Sequence, residues 1–146
     1  MPKIFIHAPQ GTFDPAARQA VASALTNLAL ECERLPKSPL VTSSVWTYFD
    51  DYPAEAVFMG NAPASLKPVS VQVYALEGGL EAADRRRLIE DATTILAPHC
   101  QVEGSPVPVF IVIHEVRESH WGFCGRNGDL AAMRASPLDA PALWDA

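Results

Sequence analysis

The chain has 146 residues, 49% of them hydrophobic and 19% charged, with a formal net charge of −6 from 11 Lys and Arg against 17 Asp and Glu. That length carries one domain, or two small repeats sharing a core, and an apolar half gives enough surface to bury rather than a disordered chain. So acidic a balance lacks the basic footprint of a nucleic-acid binder or of a protein held to an anionic membrane, and neither partner is expected.

No apolar run approaches the roughly 20 residues that span a bilayer. The start, Met1-Pro2-Lys3-Ile4-Phe5-Ile6-His7, turns polar too soon for a signal-peptide core. Cys32, Cys100 and Cys124 are odd in number and scattered, which suits thiols used as small apolar fillers in a reducing compartment. The expected location is the cytoplasm.

Taken in chain order, residues 3–8 alternate and are rich in Ile and Phe, as in a short strand. Asp14 before Pro15 is a helix start. Val21, Leu25, Leu28 and Cys32 then fall on one face of a helix expected over 15–34, which Pro36 and Pro39 end. Residues 44–49 read as a second strand. The order then repeats. Val69, Val71 and Val73 alternate with polar neighbours, residues 82–96 carry Leu88, Ala92 and Ile95 at helical spacing, and 107–116 is a nearly continuous apolar strand. One domain over 1–134 is expected, with repeats at 2–60 and 68–130 joined by a turn-rich linker at 61–67. A short ribbon at 121–126 and a tail at 135–146 without assigned structure complete the chain.

Two β-α-β units predict an α+β fold, a four-stranded mixed sheet with both helices on one face. The strands at 45–49 and 109–113 are apolar at both parities, so the other face is apolar too. Two helices cannot cover both. Another copy of the chain is the available third layer, and a homo-oligomer is expected.

Three stretches carry a resemblance to a known family: Met1 to His7, Pro68-Val69-Ser70-Val71-Gln72-Val73-Tyr74-Ala75-Leu76-Glu77-Gly78, and Ile113-His114-Glu115-Val116-Arg117-Glu118-Ser119-His120-Trp121-Gly122. In their order and repetition they resemble the tautomerase superfamily built on 4-oxalocrotonate tautomerase. The turn Tyr52-Pro53-Ala54-Glu55-Ala56-Val57-Phe58-Met59-Gly60 is closer to the cis-3-chloroacrylic acid dehalogenase branch. The resemblance covers most of residues 2–128. It implies a β-α-β-β-α-β subunit assembled as a homotrimer, an amino-terminal proline as catalyst, a small-molecule carbonyl or carboxylate substrate and no cofactor.

Proline suits such chemistry because a free secondary amine binds a proton and returns it without a long side chain. Ordinary α-amino groups titrate at about 7.7–8.0, and an apolar pocket disfavours their charged form. Pro2, freed by removal of Met1, would move a proton between the oxygen and carbon of an enol–keto pair. If it stays protonated it would act as a general acid in hydration, dehalogenation or decarboxylation. With Met1 retained, the nitrogen is an amide. Pro68 repeats Pro2, but its nitrogen is an internal amide and it is assigned to structure.

The family's arginines are missing. Gly79 and Leu76 stand where the resembling branches carry them, Trp46 and Phe110 replace the arginine early in the second strand of each unit, and Ala29, Val112 and Phe123 replace further family residues. Without guanidinium forks the best bidentate carboxylate grip is lost, and a more apolar, aromatic pocket is expected. By strand parity Trp46, Tyr48 and Asp50 share one face, and Phe110, Val112 and His114 another; the resemblance makes these the pocket-directed parities. Tyr48 and Asp50 could orient a hydroxyl or water, and His114 could be a second acid–base group, while each also reads as an ordinary strand residue. Arg117 and Arg126 flank the ribbon and could replace the lost grip, or be surface arginines. Trp121 fits a pocket wall, and equally a core or interface residue. His7 is expected away from the amine. No H-E-x-x-H or paired-cysteine spacing is present, so no metal site is expected.

Two other readings stay open at this point. One is a catalytically silent ring protein of the same fold. The other is a ferredoxin-like ligand-binding module, which shares the β-α-β-β-α-β order but leaves the ribbon unexplained.

Overall fold

A computed structural model describes residues 2–144. Strand β1 (Lys3–Pro9) leads into helix α1 (Pro15–Cys32), started by the Asp14 carboxylate, which accepts from the Ala17 N–H at 2.7 Å. The helix ends two residues before the expected Arg34. Arg34 takes a positive φ of 56°, and the Leu35 N–H turns back to the Leu30 carbonyl at 2.8 Å. Pro39 does more than stop that helix. With Ser38 capping the Val41 N–H, it starts a short helix α2 (Pro39–Ser43), which moves strand β2 to Trp46–Tyr52, later than the expected 44–49.

A small hairpin comes next, β3 (Phe58–Met59) with β4 (Ala62–Pro63), so a strand pair reaches into the segment read as linker. Strand β5 (Val69–Leu76), helix α3 (Ala82–Leu96) and strand β6 (Val109–Val116) repeat the first unit. A second hairpin, β7 (Gly122–Phe123) with β8 (Arg126–Asn127), and a short helix α4 (Leu130–Arg134) complete the chain of elements.

The four long strands form one mixed sheet in the order β2-β1-β5-β6, with β1 parallel to β2, β5 parallel to β6 and the two pairs antiparallel. The fold is therefore the expected α+β arrangement of two β-α-β units. Ile4, Ile6, Val71 and Val73, each at most 3% exposed, meet Val21, Leu25 and Leu28 of α1 and Leu88, Ala92 and Leu96 of α3 in the main core. Fully burying such a side chain is worth about 1.5–3 kcal/mol.

Among the described residues no layer covers the other face of the sheet. In-register rows cross it: Trp46, Lys3, Tyr74 and His114; then Tyr48, Phe5, Gln72 and Val112; then Asp50, His7, Ser70 and Phe110. Phe110 is 72% exposed on this face. Among the described residues no helix is long and apolar enough to cross a membrane.

Candidate active site

The pairing of Lys3 with Trp46 and Tyr74 puts Pro2 one step beyond, beside Val45 and Ala75. Pro2 shares the parity of Ile4 and Ile6, so its ring lies on the helix side of the sheet, less than 2% exposed. A second core cluster closes this end. Leu30, Leu35, Val41, Leu76 and Leu130 form it, with Val45, Trp121 and Met133 packed against them. It exists because the chain after β6 folds back: α4 is capped by Asp129, which accepts from the Ala132 N–H at 2.8 Å. Arg134 at its end donates to the carbonyls of Glu33 at 2.9 and 3.1 Å and of Gly79 at 3.1 Å. That fork ties the end of α1 to the β5–α3 turn.

Glu33 belongs to this site and was not singled out from the sequence. It is 1% exposed. Burial pushes its carboxyl above the ordinary glutamate range, while the charge of the amino terminus, the Leu76 backbone N–H and Arg134 pull it back. The signal was available. Glu33 falls four and eight residues after Ala29 and Leu25 and so continues the buried stripe of α1.

The structure separates the other residues singled out by parity. Trp46 and His114 lie in the row nearest Pro2, on the opposite face of the sheet from its ring. His114 stacks on Tyr74 with ring centres 4.5 Å apart, and its buried Nε2 has no hydrogen-bond partner among the described residues. Tyr48 lies mid-sheet, stacked on Phe5 at 5.1 Å, with the Lys3 ammonium over both rings. Asp50 and Phe110 lie four residues farther along their strands, about 13 Å from the Trp46 row at some 3.3 Å per residue.

There, at the Pro68 end, Asp50 joins His7. The histidine Nδ1 is 3.4 Å from its carboxylate and 3.0 Å from the Tyr52 hydroxyl. His7 and Tyr52 of this trio line a groove of about 730 Å³ with Val57, Phe58, Pro68 and Phe110. His7 is thus far from Pro2 along the same strand, as its position implies.

Trp121 packs into the second core cluster. Arg117 is exposed, with its Nε 3.7 Å from Glu77. Arg126 borders a second groove, of about 660 Å³, with Phe123, Asn127 and Met133. Trp46, Phe123 and Trp144 form an aromatic cluster beside it, with ring centres 5.8 to 6.2 Å apart. The tail reaches this place because the Leu40 N–H donates to the Ala140 carbonyl and the Leu143 N–H to the Ser43 hydroxyl. No group of three or more metal-ligating side chains occurs among the described residues.

Residues 1–127 match the family model described as "Putative oxalocrotonate tautomerase enzyme". The chain belongs to this tautomerase family. Solved structures share its fold at low identity. A member of the cis-3-chloroacrylic acid dehalogenase family called N1 superposes with a TM-score of 0.72 at 22% identity, over 86% of this chain and 82% of that one. Pt0534, inactivated by 2-oxo-3-pentynoate, superposes with a TM-score of 0.70 at 15% identity, over 90% of this chain and 98% of that one. A fused 4-oxalocrotonate tautomerase, a symmetric trimer, gives a TM-score of 0.68 at 20% identity, over 92% of this chain and 99% of that one. No curated protein sequence matches the chain. The tautomerase fold explains the tandem units, and membership of a family of enzymes makes chemistry at one end of the sheet the first question.

Proposed function

We propose that the chain is a proline-dependent tautomerase of homotrimeric assembly, in which Pro2, exposed by removal of Met1, shuttles a proton on a small enol, keto or unsaturated acid or its close analogue. The observation that carries this reading is the place of Pro2. It heads the central strand β1 at an end of the sheet walled by Leu30, Leu76, Trp121 and Met133. A secondary amine in such surroundings is poorly solvated, and loss of solvation favours its neutral, basic form. Removal of Met1 also removes the acyl group that makes the Pro2 nitrogen an amide.

Trp121 would supply an apolar wall, while Trp46, Tyr48 and His114 lie on the opposite face of the sheet from the Pro2 ring. Phe110 and Asp50, at the far end of the open face, would act in a site of a neighbouring copy. The uncovered face, with Trp46, Tyr48, Phe110 and Val112 each at least 39% exposed, supports a covering by further copies. The fused 4-oxalocrotonate tautomerase neighbour is itself a trimer.

The test combines three measurements on protein shown by mass to begin at Pro2. Wild type is expected to ketonise an enol such as phenylenolpyruvate, and Pro2→Ala to lose most of that rate; equal rates would reject the mechanism. Light scattering is expected to give three times the chain mass, and Phe110→Asp to lower it. A second reading, a ring protein without chemistry, is favoured by one observation, the near-complete burial of the Pro2 ring. Native protein that retains Met1 would decide for it.

A further inference from the structure

The tail leaves one of its own rings in the aromatic cluster beside β7–β8. Trp144 has its ring centre 5.9 Å from that of Trp46 and 6.2 Å from that of Phe123, both in tilted contact, within the range over which aromatic pairs attract. The seat is shallow, for Trp144 is 44% exposed. Among the described residues two hydrogen bonds tie this part of the tail to α2. The Leu40 N–H donates to the Ala140 carbonyl at 3.1 Å, and the Leu143 N–H to the Ser43 hydroxyl at 3.2 Å.

The adjoining groove, of about 660 Å³, has the size of a small-molecule site. Its polar lining is largely engaged. The Ser44 hydroxyl donates to the Val41 carbonyl, the Asn127 amide donates to the Glu118 and Ser119 carbonyls, and the Asp129 carboxylate caps α4. Arg126 differs: its guanidinium has no ion pair and no hydrogen bond among the described residues. Arg126 stands directly opposite Phe123 in the β7–β8 pair, and opposite residues of a strand pair project to the same side. A ring on Phe123 and an anionic group on Arg126 therefore fall within the span of one small molecule.

We propose that this groove binds an aryl carboxylate, its ring against Trp46 and Phe123 and its carboxylate on Arg126, and that the tail is a displaceable strap whose Trp144 competes for the ring position. The site does not involve the Pro2 nitrogen and stands with Met1 present or removed.

Charge and shape select this ligand. A guanidinium fork matches a planar carboxylate through two parallel hydrogen bonds. The remaining walls include Leu40, Ala132, Met133 and Leu143, so a second charge on the ligand would lose water without gaining a partner. The Trp144 indole supplies the ring contact but brings no group to Arg126, so the ligand outdoes it by the carboxylate. While the strap is seated the ring position is filled, and the apparent affinity falls by the fraction of molecules that are open.

The experiment measures binding of 2-naphthoate by titration calorimetry, beside 2-naphthylmethanol, the same ring without charge, and hexanoate, an anion without a ring. Wild type is expected to bind naphthoate at least about tenfold more tightly than either control. Arg126→Gln is expected to bring naphthoate and naphthylmethanol within about threefold of each other. Trp144→Ala is expected to tighten naphthoate binding by at least about threefold. The proposal is overturned by wild type that binds either control as well as naphthoate, or binds none of the three. It is overturned equally by naphthoate binding unchanged in Arg126→Gln, or no tighter in Trp144→Ala. Binding confined to protein that begins at Pro2, and absent when Met1 is retained, would put the ligand on the amine and also overturn it. The wild-type comparison uses no variant, so a substitution that prevented folding would leave the proposal open to refutation. The proline reading is decided separately, by the rate of Pro2→Ala.

Discussion

The two ends of the sheet start from the same motif and finish differently. At one end Pro2 leads β1; at the other Pro68 precedes β5, which pairs with β6 as β1 pairs with β2. Each has a hairpin nearby, β7–β8 at the first and β3–β4 at the second. The Pro2 end is closed by a core cluster, a buried carboxyl and the Arg134 fork. The Pro68 end is an open groove lined by His7 and Tyr52, with Asp50 beside His7.

The cause lies in the length of chain beyond each hairpin. After β7–β8 the chain is free to lay α4 and a tail back over the sheet end. After β3–β4 it has only a few residues before it must become β5. The helix ends diverge as well. α1 finishes with Glu33 inside the protein, whereas the turn after α3 buries Cys100 and sets His99 against Phe13. A duplicated unit can thus finish in one closed end and one open end; under the proposed function only the first copy has a nitrogen that processing can free.

That contrast can be broken in several places. The largest effect is expected from the prolines. In processed protein, Pro2→Ala should lower kcat/KM for an enol by about 10²–10⁴-fold, the range for loss of a positioned acid–base group, while Pro68→Ala stays within about twofold of wild type. Comparable losses in both would erase the distinction between the ends.

Packing should show the same asymmetry. Leu76 has 0% exposure in the closed cluster, so Leu76→Ala should cost about 2–5 kcal/mol in urea unfolding. Met59 is 45% exposed on the open hairpin, and Met59→Ala should change stability by less than about 0.5 kcal/mol. Between these lies Arg134→Met, expected to cost about 1–2 kcal/mol through the carbonyls it releases, and to speed acetylation of Pro2 by loosening the closed end.

The smallest effect is in pH dependence. Burial raises the Glu33 carboxyl, so the folded state holds that proton more tightly than the unfolded chain does. The associated stability is complete below the ordinary glutamate value and is lost as pH rises through the folded value. Glu33→Gln should therefore gain on wild type as pH climbs above about 4.5, measured as urea midpoints from pH 4 to 8. A gap that narrows instead would show that the carboxyl is stabilised by its surroundings as an anion.

By itself the sequence determined the tandem units and the mixed sheet; the far face, expected to be apolar, mixes aromatic rows with Lys3, His7, Asp50, Ser70, Gln72 and His114. Strand alternation at Val69, Val71 and Val73, helix spacing from Val21 to Cys32 and the turn residues between them are local signals, each read within a few residues. The Pro-led starts were equally plain. Element ends shifted where a local bond competed with the pattern, as at Arg34 and at Ser38 with Pro39. Parity put Asp50 with Trp46 on one face but could not measure the four residues of strand that separate them. Only the folded chain decided which groups meet at the end of α1: Arg134 joins the Glu33 and Gly79 carbonyls from 101 and 55 residues away along the chain. Contacts of that separation come from how the helices and the returning tail pack, and packing depends on the whole core at once.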